Sequence, residues 1–326
     1  MTDTLFEHLQ DDADFAAIAP RLAAADAATR RVALMELADF EDDAYLPAFL
    51  RALADGDAQV RAEAARLLAG NEDPDAVDGL AACLLDADEV VRAAAAQSLS
   101  ELKTHAAGLR LLPWALHDDA FVRAAALRAL RELRLGEAAQ AAQASLDHPA
   151  ALVRREAVGV LGWLKHGAAL PALSTLARHD EDIEVRRAAT GALGLATDDS
   201  VLDALLGALA DAAWPVREEA AATLGKLRLA AAADGLIAAM ADEYWQVRLR
   251  AARSLGRIGA RSALPVLSEA LLHEMGNLRK EAAIALGEIA DPAALAVLQL
   301  AAADPDPEVR KAAMLALGKL AAVQPQ

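Results

Sequence analysis

An arginine returns through this chain at nearly constant spacing: Arg30, Arg61, Arg92, Arg123, Arg154, Arg186, Arg217, Arg248, Arg279 and Arg310. Eight of the nine intervals are 31 residues, and the one from Arg154 to Arg186 is 32. The surroundings repeat with it. Val185-Arg186-Arg187-Ala188-Ala189-Thr190-Gly191-Ala192-Leu193-Gly194 returns as Val309-Arg310-Lys311-Ala312-Ala313-Met314-Leu315-Ala316-Leu317-Gly318. A fixed period of this length belongs to a solenoid, in which each unit buries its apolar face on the next.

One repeat shows which unit it is. From Val185 to about Leu195, small or apolar residues fall at Val185, Ala188, Ala189, Ala192 and Leu193. That is the stripe of an amphipathic helix. Thr197-Asp198-Asp199-Ser200 supplies a break and a cap. A second helix over Val201–Ala210 presents Val201, Leu205, Leu206 and Leu209. Only 3% of residues are aromatic while alanine dominates, which suits thin, closely packed helices and not strands. The spacing therefore predicts an all-α solenoid of about ten two-helix repeats. It forms a single domain over 1–326, with capping helices in 1–24, repeats in 25–320 and a tail in 321–326.

The arginine falls in the first turn of its helix, where the macrodipole disfavours a cation. Six residues before it stands Asp55, Asp86, Asp180, Asp211, Asp242 or Asp304 in six of the repeats. The expected structure is an Asp–Arg ladder that ties each turn to a neighbouring helix. Pro47, Pro171 and Pro265 hold equivalent places in the other helix, where proline starts or kinks it. Gly162, Gly194, Gly225, Gly256, Gly287 and Gly318 recur in register inside helices, so they serve close helix approach and form no phosphate loop.

The pattern Asp-x-x-x-x-Val-Arg-x-x-Ala-x-x-Ala-Leu-Gly resembles HEAT repeats, nearest to the short bacterial type of phycobilisome lyases, over about Phe15 to Leu320. The resemblance implies an arc whose arginine-bearing helices line the concave side. It leaves function open, because unrelated activities share the architecture. A deoxyhypusine-hydroxylase-like site would place His-Glu pairs just after the ladder arginine. The pairs here are Ala62-Glu63, Arg155-Glu156, Glu218-Glu219 and Lys280-Glu281, with glutamates but no histidines.

Net charge is −17, which argues against a general nucleic-acid binder. The charges are nevertheless segregated: the arginine-bearing helices are net positive, and the negative excess lies elsewhere. Positions opposite the apolar stripe carry Arg31, Arg66, Arg128, Arg155, Arg187, Lys226, Arg253, Arg257, Lys280, Lys311 and Lys319, set against Asp39, Glu101, Glu132, Glu218 and Glu288. A basic concave face would steer an acidic protein segment into the groove. Arg66, Arg128, Arg155, Arg187, Lys226, Arg253, Arg257 and Lys280 are the expected contacts, with Trp163 as an aromatic anchor. Tyr244-Trp245 is a further aromatic candidate, placed with Trp214 in the turns.

His117, His148 and His179 stand 31 residues apart with Asp118, Asp147 and Asp180 nearby, a ligand chemistry suited to zinc, nickel or copper. Stacked helices lie about 8–10 Å apart, too wide for three rings to hold one ion, so histidine standing in for aspartate as a turn cap is the preferred reading. The single cysteine, Cys83, sits in an apolar helical run and reads as a structural thiol. The first residues lack a basic region followed by an apolar core, so a secretory signal is not expected; with no membrane-length apolar run and a lone cysteine, the expected compartment is the cytoplasm. Leu5, Phe6, Leu9, Phe15 and Ile18 are expected to cover the first repeat. Met314, Leu315 and Leu320 leave the last without an evident cap, which makes end-to-end pairing of two copies the expected oligomer. The function expected is a non-catalytic adaptor without cofactor that holds an acidic protein partner, with no nucleic acid and no membrane. The alternative is a lyase-like or chaperone-like handler of a tetrapyrrole, chromophore or metal.

Overall fold

In the computed structural model, which describes Leu9 and residues 12–323, each period resolves into two helices. The chain divides into two compact units, Met1–Leu164 and Lys165–Gln326, and the boundary falls inside the one interval of 32 residues. The first unit contains α1 Ala13–Leu22, α2 Ala27–Ala38, α3 Leu46–Ala52, α4 Ala58–Leu67, α5 Pro74–Cys83, α6 Glu89–Leu99, α7 His105–Leu111, α8 Ala120–Leu133, α9 Ala138–Gln143 and α10 Ala151–Trp163. The second contains α11 Leu170–His179, α12 Ile183–Ala192, α13 Leu202–Leu209, α14 Trp214–Leu227, α15 Ala233–Ala239, α16 Trp245–Ile258, α17 Leu264–Ala270, α18 Gly276–Ile289, α19 Leu295–Ala301 and α20 Pro307–Val323. No strand occurs among the described residues.

The even-numbered helices carry the ladder arginines. In α2, α4, α6, α8 and α12 the start is set by an aspartate four residues before the arginine. Asp26, Asp57, Asp88, Asp119 and Asp182 each accept first-turn N–H groups of the helix that follows, which satisfies donors no helical carbonyl can reach. The odd-numbered helices are shorter, and several begin from a single 3-10 turn. Pro47, Pro171 and Pro265 occupy the second residue of α3, α11 and α17. There the missing N–H costs nothing and the fixed φ favours the helix, so these prolines start helices and do not kink them.

Within each unit the even helices stack on one another and each odd helix packs against its even partner. The core is aliphatic and small: Leu34, Leu37, Leu68, Leu99, Leu127, Leu130 and Leu161 are fully buried in the first unit, and Leu193, Leu224, Leu255, Leu286 and Leu298 in the second. Glycine brings the even helices of the second unit together. A Cβ on Gly256 would stand 2.7 Å from Ala285 Cα, and one on Gly287 would stand 2.7 Å from Ala316 Cα. Buried serines link the same layer, Ser98 donating to the Ala65 carbonyl at 2.8 Å and Ser254 to that of Ala221 at 2.7 Å.

Some boundaries differ from the sequence expectation. The helix expected over Val185–Leu195 spans Ile183–Ala192 and tightens into a 3-10 turn at Leu193–Leu195; the helix expected over Val201–Ala210 spans Leu202–Leu209. Trp214 and Trp245 are the first residues of α14 and α16 and do not lie in the turns. Phe15, Ile18 and Leu9 are buried at the start of the first unit, whereas Leu5 and Phe6 lie outside the described residues.

Candidate functional site

The ladder frames every candidate residue. Arg30, Arg61, Arg186, Arg217 and Arg279 each give Nε and Nη2 to the two carboxylate oxygens of Asp55, Asp86, Asp211, Asp242 and Asp304, 25 residues on. Nη1 turns back to the carbonyls five and six residues earlier, as Arg217 does to Ala212 and Asp211. Each guanidinium thus clamps its own turn to the next. The same carboxylate caps the N–H two residues later, Asp242 accepting from Tyr244 at 2.9 Å. Fork-to-fork bonding of this kind is among the stronger hydrogen-bond geometries. The arginine bonds hold the Asp55, Asp86 and Asp304 carboxyls below the ordinary aspartate range.

Where the ladder position is histidine, the ring takes over the cap. His117, His148 and His273 each accept the N–H two residues on through Nδ1, at 3.0, 3.1 and 3.0 Å. His179 is not part of this series. The extra residue between Arg154 and Arg186 moves it one place back, to the last residue of α11, and Asp180 fills the turn and caps Asp182. The third histidine in register is His273, six residues before Arg279. Among the described residues no group of three or more His, Cys, Asp or Glu side chains is placed to hold a metal. Cys83 is buried, and burial pushes its thiol up to about 11, which is the environment of a structural cysteine.

On the face of the even helices in the first unit, charge converges on one carboxylate. Glu156 of α10 is 4% exposed at its side chain. Arg128 and Arg155 reach it at 3.2 Å and Arg131 at 3.5 Å. Arg131 also lies 3.6 Å from Glu132, and its Nε is buried with no hydrogen-bond partner. One turn along, the Arg134 guanidinium sits 5.5 Å from the ring centroid of Trp163, which is 47% exposed. Arg66 stands apart from this cluster and pairs with Glu63 within α4.

The second unit holds the other expected contacts separately. Arg253 binds both oxygens of buried Glu281. Arg187 pairs with Glu184 at 2.9 Å, and Lys280 lies 3.8 Å from Glu308. Lys226 extends over Gly194, where a Cβ would meet its Nζ at 2.9 Å. Lys226 and Arg257 are exposed and make no ion pair among the described contacts. Tyr244 stacks on Trp214 at 5.5 Å with the Arg217 guanidinium over it.

The balance of the face therefore differs from the sequence count of exposed positions. That count omitted the glutamate two residues after the ladder arginine, which is buried yet ionically engaged. The signal was present as a spacing of 28 between arginine and glutamate, in Arg128/Glu156 and Arg253/Glu281. Glu219 occupies the same position opposite Gly191 instead of an arginine. Burial raises its carboxyl above the ordinary glutamate range, and the charges of Arg187, Arg250 and Lys226 oppose that shift.

A clamp of arginine, next-turn aspartate and backbone carbonyls, repeated along stacked helix pairs, defines a helical-repeat protein. The HEAT-repeat family model matches residues 15–100, 108–194, 171–244 and 233–318, and the chain belongs to that family. Its fold is shared with an engineered protein at 22% identity, covering 94% of this chain and 99% of that one with a TM-score of 0.55. It is also shared with importin beta at 16% identity, covering 93% and 50% with a TM-score of 0.61. The complex of CpcE and CpcF of phycocyanin lyase from Nostoc sp. PCC7120 is similar at 24% identity over 67% of this chain and 91% of that one, with a TM-score of 0.42. No curated protein matches the sequence. No helix among the described residues is long and apolar enough to cross a membrane.

Proposed function

We propose that this protein is a non-catalytic cytoplasmic adaptor whose even-helix face, the concave side implied by the repeat, holds an acidic segment of a partner protein. The observation that carries the reading is the convergence of Arg128, Arg131 and Arg155 on Glu156 beside exposed Trp163. Buried Glu156 and exposed Glu132 together still leave the three guanidiniums with an excess of positive charge. A partner carboxylate can share the outer edges of Arg128 and Arg155 without breaking their bonds to Glu156, since each guanidinium has five donors. Trp163, with Arg134 across its ring, offers an aromatic surface for an apolar residue flanking that acid. In the second unit, Lys226 and Arg257 supply exposed cations that form no ion pair among the described contacts.

The test is capture of partners from the native host at low and high salt, with wild type compared against Arg128→Glu/Arg155→Glu. A partner retained by wild type at low salt and lost in the variant and at high salt supports the reading. A partner held equally by both proteins places binding elsewhere.

A further inference from the structure

Three ladder arginines face a histidine in place of an aspartate, and the molecule treats them differently. Arg92, opposite His117, places its guanidinium 5.8 Å from the Phe121 ring centroid. Arg123, opposite His148, turns its fork back and donates Nε to the His117 carbonyl at 2.9 Å and Nη2 to that of Leu116 at 2.8 Å. Arg248, opposite His273, does neither. Its Nη1 holds the Asp242 and Glu243 carbonyls at 2.6 and 3.1 Å, as its neighbours do, but its Nε is buried with no acceptor. The cause is chemical: His273 spends Nδ1 on the Met275 N–H. The atom on the other side of its Cγ is a carbon, where aspartate has its second oxygen.

Arg248 also lines a cavity of about 510 Å³ between α15, α16, α17 and the first turn of α18. Most of its wall is aliphatic: Ile237, Met240, Val266, Leu272 and Leu278. Leu272 stands 85% exposed at the lip. The other charged group in the lining is Glu269, which is exposed on α17. Arg248 feels the charge of Asp242, but that carboxylate is bonded to Arg217 and leaves the Arg248 Nε without an acceptor. A guanidinium so placed at the wall of an apolar cavity suits an anionic head on an apolar body.

The geometry points to this cavity as a binding site for a carboxylate carried on an aliphatic chain, with Arg248 as its anchor. The neighbouring turns supply the template, since the forks of Arg217 and Arg279 already hold a carboxylate in this register. A bound carboxylate would supply at Nη2 the counter-charge that Asp242 and Asp304 supply to those arginines. The site is independent of the Glu156 cluster, which lies in the other unit. A free fatty acid and the terminal carboxylate of a chain ending in leucine present the same chemistry.

The test is calorimetric titration of the full chain with octanoate and with N-acetyl-Ala-Leu, against octanol and the amide of the dipeptide as uncharged controls. Two variants accompany wild type: Arg248→Gln, which removes the charge, and His273→Asp, which fills the fork with the ladder's own carboxylate and preserves the fold. Binding of either carboxylate by wild type, weakened about tenfold or more in both variants and absent for the uncharged controls, supports the site. Octanoate alone binding identifies a free acid, and the dipeptide alone identifies a chain terminus. No carboxylate binding, equal binding of octanol, or affinity unchanged by His273→Asp overturns it.

Discussion

Arg217 and Asp242 meet through two parallel hydrogen bonds of 2.7 and 2.9 Å, with their side chains only 12% and 10% exposed. Asp242 also accepts the Tyr244 N–H just before α16, so one carboxylate orders the turn as well as forming the clamp. Asp242→Ala removes both functions and strands a largely buried guanidinium. The expected loss is about 2–3 kcal/mol, from the broken pair and the lost turn hydrogen bond. Urea denaturation followed by circular dichroism measures it, and a loss below about 0.5 kcal/mol would show that the clamp is ornamental.

His273→Asp is expected to act in the opposite direction. It gives the buried Nε of Arg248 an acceptor and retains the cap on Met275. A gain of about 1–2 kcal/mol follows from satisfying a charged donor. His117→Asp should gain less, because the Arg92 guanidinium already lies over Phe121. Equal gains at both positions would contradict this ordering.

The ladder carboxylates set an acid limit. The folded pKa values of Asp55, Asp86 and Asp304 lie below the ordinary value of 3.8 because arginine bonds favour the charged form. The stability they contribute is fully present above that value and is lost as pH falls through their lower folded values. Stability from these groups should stay flat between about pH 7 and 5 and decline below about pH 4. Unfolding midpoints across that range test it, and a decline complete above pH 5 would assign acid sensitivity to other groups.

Much of this was legible in the sequence for a physical reason. A helix pair that can bury its apolar face only on its neighbour must repeat its contacts, and the arginine recurring with an aspartate 25 residues on records the contact directly. The cap role of His117 and His148 followed from the same register. His179 did not, because one inserted residue between Arg154 and Arg186 shifts the register while leaving a spacing of 31 between histidines. His273 was hidden among aspartates that do the same work. The Glu156 cluster escaped because glutamate occupies a position that periodicity assigns to the buried stripe, and its arginines come from the preceding helix as well as its own.

The glycine register separates packed from open positions. Gly287→Ala places a methyl group 2.7 Å from the backbone of Ala316 and should cost about 1–3 kcal/mol through forced helix separation. Gly318 has nothing within 4 Å of a Cβ, so Gly318→Ala should gain about 0.5–1 kcal/mol from helix propensity. Thermal unfolding of the two variants should shift in opposite directions, and a shared sign would refute the packing assignment.

The most direct measurement of the proposed role is calorimetric titration of a synthetic peptide rich in Asp and Glu with one central leucine, at two salt concentrations. It would use wild type, Arg128→Glu/Arg155→Glu and Trp163→Ala. Wild type is expected to bind with an affinity that weakens with salt, falls about tenfold or more on charge reversal and falls less without the indole. Affinity unchanged by charge reversal, or insensitive to salt, would contradict an acidic partner on this face.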